Sequence, residues 1–253
     1  MKQLRIWLTA IMAIAVATPT LAAEPKRIMV FGDSNSWGWI ARDEQPPTTR
    51  FPGDIRWPGI LQGELGDGYY VIEEALSGRT TNITPSPDPL RIPGAGLNGA
   101  AYLPAALGTH VPLDLVIIMV GINDLWADKE RTPLQIGLAA MQLAATVKAA
   151  AGAAGTSYPA PDVLLIAPPP LAPSVAGGSL AEYLGDRVEA SRELGDVYAR
   201  LAAALDIAFL NAGEVVTIGG IDGVHFNEDN HRALGRAVAA QVREMLPTDR
   251  ERP

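Results

Sequence analysis

The chain has no cysteine and only three histidines in 253 residues. The missing thiols exclude a disulfide framework, a cysteine nucleophile and any thiolate zinc site, so the fold has to rest on its core. A single α/β domain of this length buries enough apolar surface for that. Positive charge is also short: 20 Lys and Arg against 28 Asp and Glu give a formal charge of −8. That balance argues against nucleic acid as a partner, because binding there rests on neutralising phosphates. No Gly-x-Gly-x-x-Gly follows the first apolar run after the amino terminus, and no Lys precedes a Ser or Thr, so the usual nucleotide-binding signatures are missing as well.

The amino terminus reads as a targeting segment. Lys2 and Arg5 precede the apolar run Ile6–Val16, and Thr20-Leu21-Ala22 places small residues ahead of a cut after Ala22 or Ala23. This is the pattern of a secretory signal peptide over residues 1–22. The run is interrupted by Thr9, Thr18 and Pro19 and falls short of the roughly 20 residues a spanning helix needs. The expectation is an exported protein, periplasmic or secreted, with no membrane span in the mature chain. A single domain then covers residues 23–253, and loss of the two basic residues moves the formal charge from −8 to −10.

Five apolar runs follow: Ile28–Phe31, Tyr70–Ala75, Leu115–Val120, Val163–Ala167 and Ile207–Asn211. The third and fourth are continuously aliphatic, as expected for strands covered on both faces. Between them the spacing predicts helices over Trp57–Leu65, Pro133–Ala151, Leu180–Leu205 and Asp229–Leu246. The second of these opens on Thr132 as N-cap with Pro133 at the first helical position, and Gly152 closes it. Such alternation predicts an α/β fold with a five-stranded, mainly parallel sheet and helices on both sides. The Pro- and Gly-rich stretches Thr84–Gly99 and Ala167–Gly178 read as loops.

In open α/β sheets ligands bind at the carboxyl ends of the strands, and polar residues collect there in this chain. Gly32-Asp33-Ser34 ends the first run, which offers a serine nucleophile provided a base is near. Of the three candidate bases, His225 sits in Asp222-Gly223-Val224-His225 after the last strand, with Asp222 spaced to hold and orient the imidazole. His110 precedes the third strand at its amino end, and His231 reads as a surface or capping residue of the last helix. Asn123, in Gly121-Ile122-Asn123-Asp124, can donate its amide to an oxyanion, and Gly78 after the second strand lets a backbone N–H approach a substrate. Trp37, Trp39 and Trp126 lie within a few residues of Ser34 or Asn123; Trp39 and Trp126 are the candidate substrate-binding aromatics.

These four blocks resemble the SGNH hydrolase family. The resemblance runs from about Arg27 to Met245 and extends to Trp37-Gly38-Trp39, Arg79-Thr80-Thr81-Asn82 and Pro168-Pro169-Pro170, where the chain is most similar to the family's mycobacterial arylesterase/acyltransferase branch. It implies a flavodoxin-like three-layer α/β/α sandwich, Ser34, Asp222 and His225 as the triad, and Ser34, Gly78 and Asn123 as oxyanion donors. It also implies a cofactor-free esterase for short-chain aryl or alkyl esters, with acyl transfer to alcohols and perhydrolase activity. The substrates are then small esters and alcohols. In that branch the assembly is a homo-oligomer, an octamer. A carbohydrate acetylesterase, a lysophospholipase or thioesterase, and a catalytically silent ligand-binding protein on the same scaffold stay open. One departure is local: the leucine frequent after the family's nucleophile is Asn35 here.

Overall fold

Successive side chains of a strand point to opposite faces, and here both faces are apolar. Met29, Phe31, Val116, Ile118, Val163 and Leu165 face one core, while Ile28, Val30, Leu115, Ile117, Leu164 and Ile166 face a second. A sheet with two such faces has to be covered twice. The structure, a computed structural model, describes residues 24–43, 48–85 and 92–248; the expected signal segment lies outside the described residues.

The strands are β1 (Lys26–Gly32), β2 (Tyr69–Ala75), β3 (Leu115–Met119), β4 (Asp162–Ala167) and β5 (Ala208–Asn211). They pair in the order β2-β1-β3-β4-β5, and every pairing is parallel. The helices are α1 (Ser34–Trp37), α2 (Trp57–Leu65), α3 (Gly94–Leu97), α4 (Gly99–His110), α5 (Pro133–Lys148), α6 (Ala181–Leu184), α7 (Val188–Ala204) and α8 (Glu228–Met245). Side chains of α4, α5 and α7 fill the first core and those of α2 and α8 the second, which gives the three-layer sandwich. The strand order reverses between β1 and β3, so the crevice for a ligand lies above those two strands.

Local signals explain most boundaries. Thr132 and Gln135 form a capping box at the start of α5, and Asn227 and Asn230 form one at the start of α8. The stretch Pro133–Gly155 has the length and hydropathy of a membrane span, yet within it α5 buries Ile136, Ala140, Leu143 and Val147 in the first core.

Two expectations about helices are corrected. Leu180–Leu205 is not one helix: it breaks between α6 and α7, where a Cβ on Gly185 would sit 2.6 Å from the Ala181 carbonyl oxygen and the Arg187 side chain turns away to bond the carbonyls of Leu125 and Arg131. The stretch Thr84–Gly99 is not all loop, since it contains α3 and leads into α4, whose Asn98 cap accepts the Ala101 N–H. With Gly99, Pro104 and Gly108, α4 has weak helix propensity, and its packing into the first core decides.

His231 is also corrected. It is 0 % exposed, wedged edge-on against Phe51 and Phe226. Instead of capping its own helix, its Nδ1 accepts the Trp57 N–H at the start of α2, 3.3 Å away. Nε2 therefore carries the proton, and it has no partner among the described residues. Burial, with Arg56 and His225 adding repulsion, lowers its pKa from 6.5 to about 3. The unfolded chain binds a proton below 6.5 that the folded chain refuses, so the contribution of His231 to stability is intact above pH 6.5 and is lost as the pH falls towards 3. The stability difference between wild type and His231→Asn, measured by urea unfolding, should stay constant above pH 7 and shift against the wild type by up to about 4 kcal/mol on acidification. A difference that does not vary with pH would contradict a buried neutral His231.

Candidate active site

At Gly32 the chain leaves β1 and turns at once into α1. Asp33 caps that turn, its carboxylate accepting the Asn35 N–H at 3.0 Å, and this sets Ser34 at the first helical position on the carboxyl rim. Ser34 is 4 % exposed. Its Oγ lies 3.0 Å from Nε2 of His225, whose Nδ1 is 2.6 Å from Oδ2 of Asp222. The other carboxylate oxygen of Asp222 accepts the N–H groups of Val224 and His225 at 3.0 and 2.9 Å. Burial pushes the Asp222 carboxyl up, but the hydrogen bond and charge of His225 and the two backbone N–H groups outweigh it and hold the carboxyl below its ordinary range. An ionised Asp222 fixes the Nδ1–H tautomer and leaves Nε2 to take the serine proton.

The oxyanion candidates come from the next two strand ends. After β2, Leu76–Arg79 form a turn closed by Arg79 N–H to the Leu76 carbonyl at 3.2 Å, with Gly78 at φ +82° in its third position. That is the type II geometry, which calls for glycine there. After β3, Gly121 adopts φ +131°, and a Cβ on it would lie 2.4 Å from the Tyr198 hydroxyl. The short 3₁₀ turn Ile122–Leu125 follows and carries Asn123. One amide hydrogen of Asn123 goes to the Arg79 carbonyl at 3.0 Å, which orients the amide and leaves its second N–H for a ligand. The N–H groups of Ser34 and Gly78 donate to no acceptor among the described residues. Three donors without a protein acceptor among the described residues thus stand after β1, β2 and β3, on the rim that carries a hydroxyl paired with a base, an arrangement suited to attack on a carbonyl and stabilisation of the oxyanion that results.

Beneath this rim lie charges that the sequence reading did not single out. The Arg79 guanidinium is buried between the rings of Phe31 and Tyr102, 4.1 and 5.1 Å from their centres. It donates to the Gly32 carbonyl at 3.1 Å and to the Glu74 carbonyl, at the ends of β1 and β2. Burial lowers its pKa to about 10. Asp124 accepts the Thr81 N–H at 2.9 Å and its hydroxyl at 2.5 Å, and pairs with Arg131 at 3.1 Å. Burial raises the Asp124 carboxyl against those bonds. Asp33 is pushed up to about 7 by burial, with the Asn35 N–H, His225 and Arg79 pulling the other way. The signal was present in Asp33, Arg79 and Asp124 themselves, each beside a predicted site residue.

The aromatics separate. Trp39 is half-buried and stacks on the His225 ring, centroids 5.5 Å apart and planes 23° from parallel. Trp126 packs on Tyr183 at 4.8 Å and against the first core, with Lys129 Nζ over its ring, 5.0 Å from the centroid. His110 bonds Glu74 at 2.8 Å from the end of α4 and takes no part in the site. Among the described residues no cluster of three or more His, Asp or Glu side chains could hold a metal ion.

A parallel sheet in this order, with a hydrogen-bonded serine, histidine and aspartate on its carboxyl rim, defines an α/β ester hydrolase. The chain belongs to the GDSL-like Lipase/Acylhydrolase family, whose model matches residues 30–233. Among solved structures it is similar to the aryl esterase of M. smegmatis, with 48% identity over 87% of this chain and 100% of that one and a TM-score of 0.81. A carbohydrate acetylesterase from Sinorhizobium meliloti shares 42% identity over 87% and 100% of the two chains, also at a TM-score of 0.81. A carbohydrate acetylesterase family member from the same organism shares 34% over 88% and 100%, with a TM-score of 0.74. No curated protein sequence matches.

Because Arg79 braces the ends of β1 and β2 while buried, Arg79→Met should destabilise the fold by about 3 kcal/mol in urea unfolding, as the Gly32 and Glu74 carbonyls lose the guanidinium N–H. A loss under about 0.5 kcal/mol, the range of ordinary surface substitutions, would contradict the assignment.

Proposed function

We propose that the protein is a serine esterase that cleaves short-chain aryl or alkyl carboxylic esters through an acyl-enzyme on Ser34. The observation that carries this reading is the continuous line from Ser34 Oγ to His225 Nε2 at 3.0 Å and from His225 Nδ1 to Asp222 Oδ2 at 2.6 Å. His225 takes the serine proton as Oγ adds to the carbonyl. The oxyanion rests on the N–H groups of Ser34 and Gly78 and the free amide N–H of Asn123. His225 then protonates the leaving alcohol, and the acyl group remains on Ser34. In the second half His225 deprotonates the incoming acceptor, which attacks the acyl-enzyme to give a second tetrahedral intermediate; its collapse breaks the bond between the acyl carbon and Ser34 Oγ, and His225 returns the proton to Ser34.

The acceptor can be water, an alcohol or hydrogen peroxide, giving an acid, a new ester or a peracid. Exclusion of water favours the latter two, and the apolar Trp39 ring against the imidazole supports transfer to alcohols with an apolar body. A second reading, a carbohydrate acetylesterase, is supported by the similarity to the S. meliloti enzyme. The two separate on a panel of aryl acetates and acetylated sugars. The basic and apolar pattern of residues 1–22 supports action outside the cytoplasm.

Ser34→Ala should reduce turnover of p-nitrophenyl acetate by at least about a thousandfold, with the melting temperature close to that of the wild type. Retained turnover in the purified variant would overturn Ser34 as nucleophile.

A further inference from the structure

The residue after the nucleophile has no part in the chemistry above, yet it is buried and polar. Its side chain meets a segment nearly two hundred positions away. Asn35 Nδ2 donates to the Val224 carbonyl at 3.1 Å, and Asn35 Oδ1 accepts the Phe226 N–H at 2.9 Å. The amide orientation follows from the partners: reversed, two donors and two acceptors would face each other. Those partners are the residues on either side of His225. One planar side chain thus grips the backbone immediately before and immediately after the general base.

Accounting for the polar backbone groups around His225 shows what this grip adds. The N–H groups of Val224 and His225 go to Asp222 Oδ1, and the His225 carbonyl accepts the Gly220 N–H at 3.1 Å. All of those bonds lie inside the loop and fix only its shape. The bonds of Asn35 tie the loop's backbone to the nucleophile's own turn. They set where His225 stands relative to Ser34. A neutral amide achieves this without a further charge beside the ionised Asp222 and the buried Asp33.

We propose that Asn35 is a positioning residue: its two hydrogen bonds hold the His225 backbone in register with the nucleophile's turn, so that Nε2 stays within proton-transfer reach of Ser34 Oγ. The proposal rests on the reading of Ser34 and His225 as nucleophile and base. Without the clamp the imidazole samples positions away from Oγ, which slows the chemical step and leaves substrate binding alone. Misplacement of about 1 Å costs on the order of a hundredfold in rate.

The test compares wild type, Asn35→Leu, which keeps the bulk and removes both bonds, and Asn35→Ala, which cannot clash. Steady-state kinetics with p-nitrophenyl acetate, thermal unfolding, and the downfield Nδ1–H resonance of His225 are recorded for each. The expected result is a ten- to hundredfold fall in kcat with KM within about twofold, a broadened Nδ1–H signal, and cooperative unfolding in at least one variant. Wild-type kcat in a folded variant would overturn the proposal, as would a loss confined to KM. Failure of both variants to fold would overturn it too, by showing that the two bonds hold the fold rather than the base. Ser34→Ala in the same assay keeps the two claims apart: if it is active the underlying reading falls, and if it is silent while Asn35→Leu is fully active only the positioning role falls.

Discussion

The 3.0 Å contact between Ser34 Oγ and His225 Nε2 joins residues 191 positions apart, and the rest of the site is arranged to keep it. Neither side chain can do its chemistry alone, since serine is a poor nucleophile without a base within hydrogen-bond reach. The parallel sheet supplies the coarse placement by delivering the ends of β1, β2 and β3 to one rim. The last loop, from β5 towards α8, brings the base to that rim. Side-chain hydrogen bonds then supply the ångström-scale placement: Asp222 shapes the histidine loop, Asn35 fastens it to α1, and the Arg79 carbonyl orients Asn123.

The same rim is built over buried charge. Asp33, Arg79 and Asp124 all lie beneath it, each shifted against its ionised form by burial. Burying such groups costs stability unless they are paired or bonded. Here the bonds of two of them run between strand ends rather than within one element: Arg79 reaches β1 and β2, and Asp124 holds Thr81 from the neighbouring loop, while Asp33 caps its own turn. The buried charge therefore serves as cross-bracing for loops that have no regular structure of their own. Trp39 adds an apolar cover over the imidazole, so the base meets both a polar frame and a dry face.

How far this was legible in the sequence depends on the range of the interaction that decides each feature. Gly-Asp-Ser, Gly-x-Asn-Asp and Asp-x-x-His could be read because each places polar residues directly after an apolar run or in one short loop. The two-sided aliphatic runs gave the parallel sheet for the same local reason. The extent of α4 was hidden by its glycines and proline, and the break before α7 by residues with good helix propensity on both sides. His231 was misplaced because its burial comes from Phe51, Phe226 and the start of α2, all remote in sequence. Asn35 read as a departure from a family pattern, and only its distant partners at Val224 and Phe226 show what it holds. Trp39 and Trp126 looked alike in sequence, yet one lies on the base and the other against Tyr183.

The central claim is that one hydroxyl, Ser34, carries the acyl group. Diisopropyl fluorophosphate measures this most directly, because its phosphorus is attacked by a base-activated serine. The adduct is then mapped by peptide mass spectrometry while residual esterase activity is followed. The account predicts one phosphoryl group on the peptide containing Ser34, with activity lost in step with its appearance. Full activity with Ser34 modified, or inactivation with the label on another residue, would contradict it.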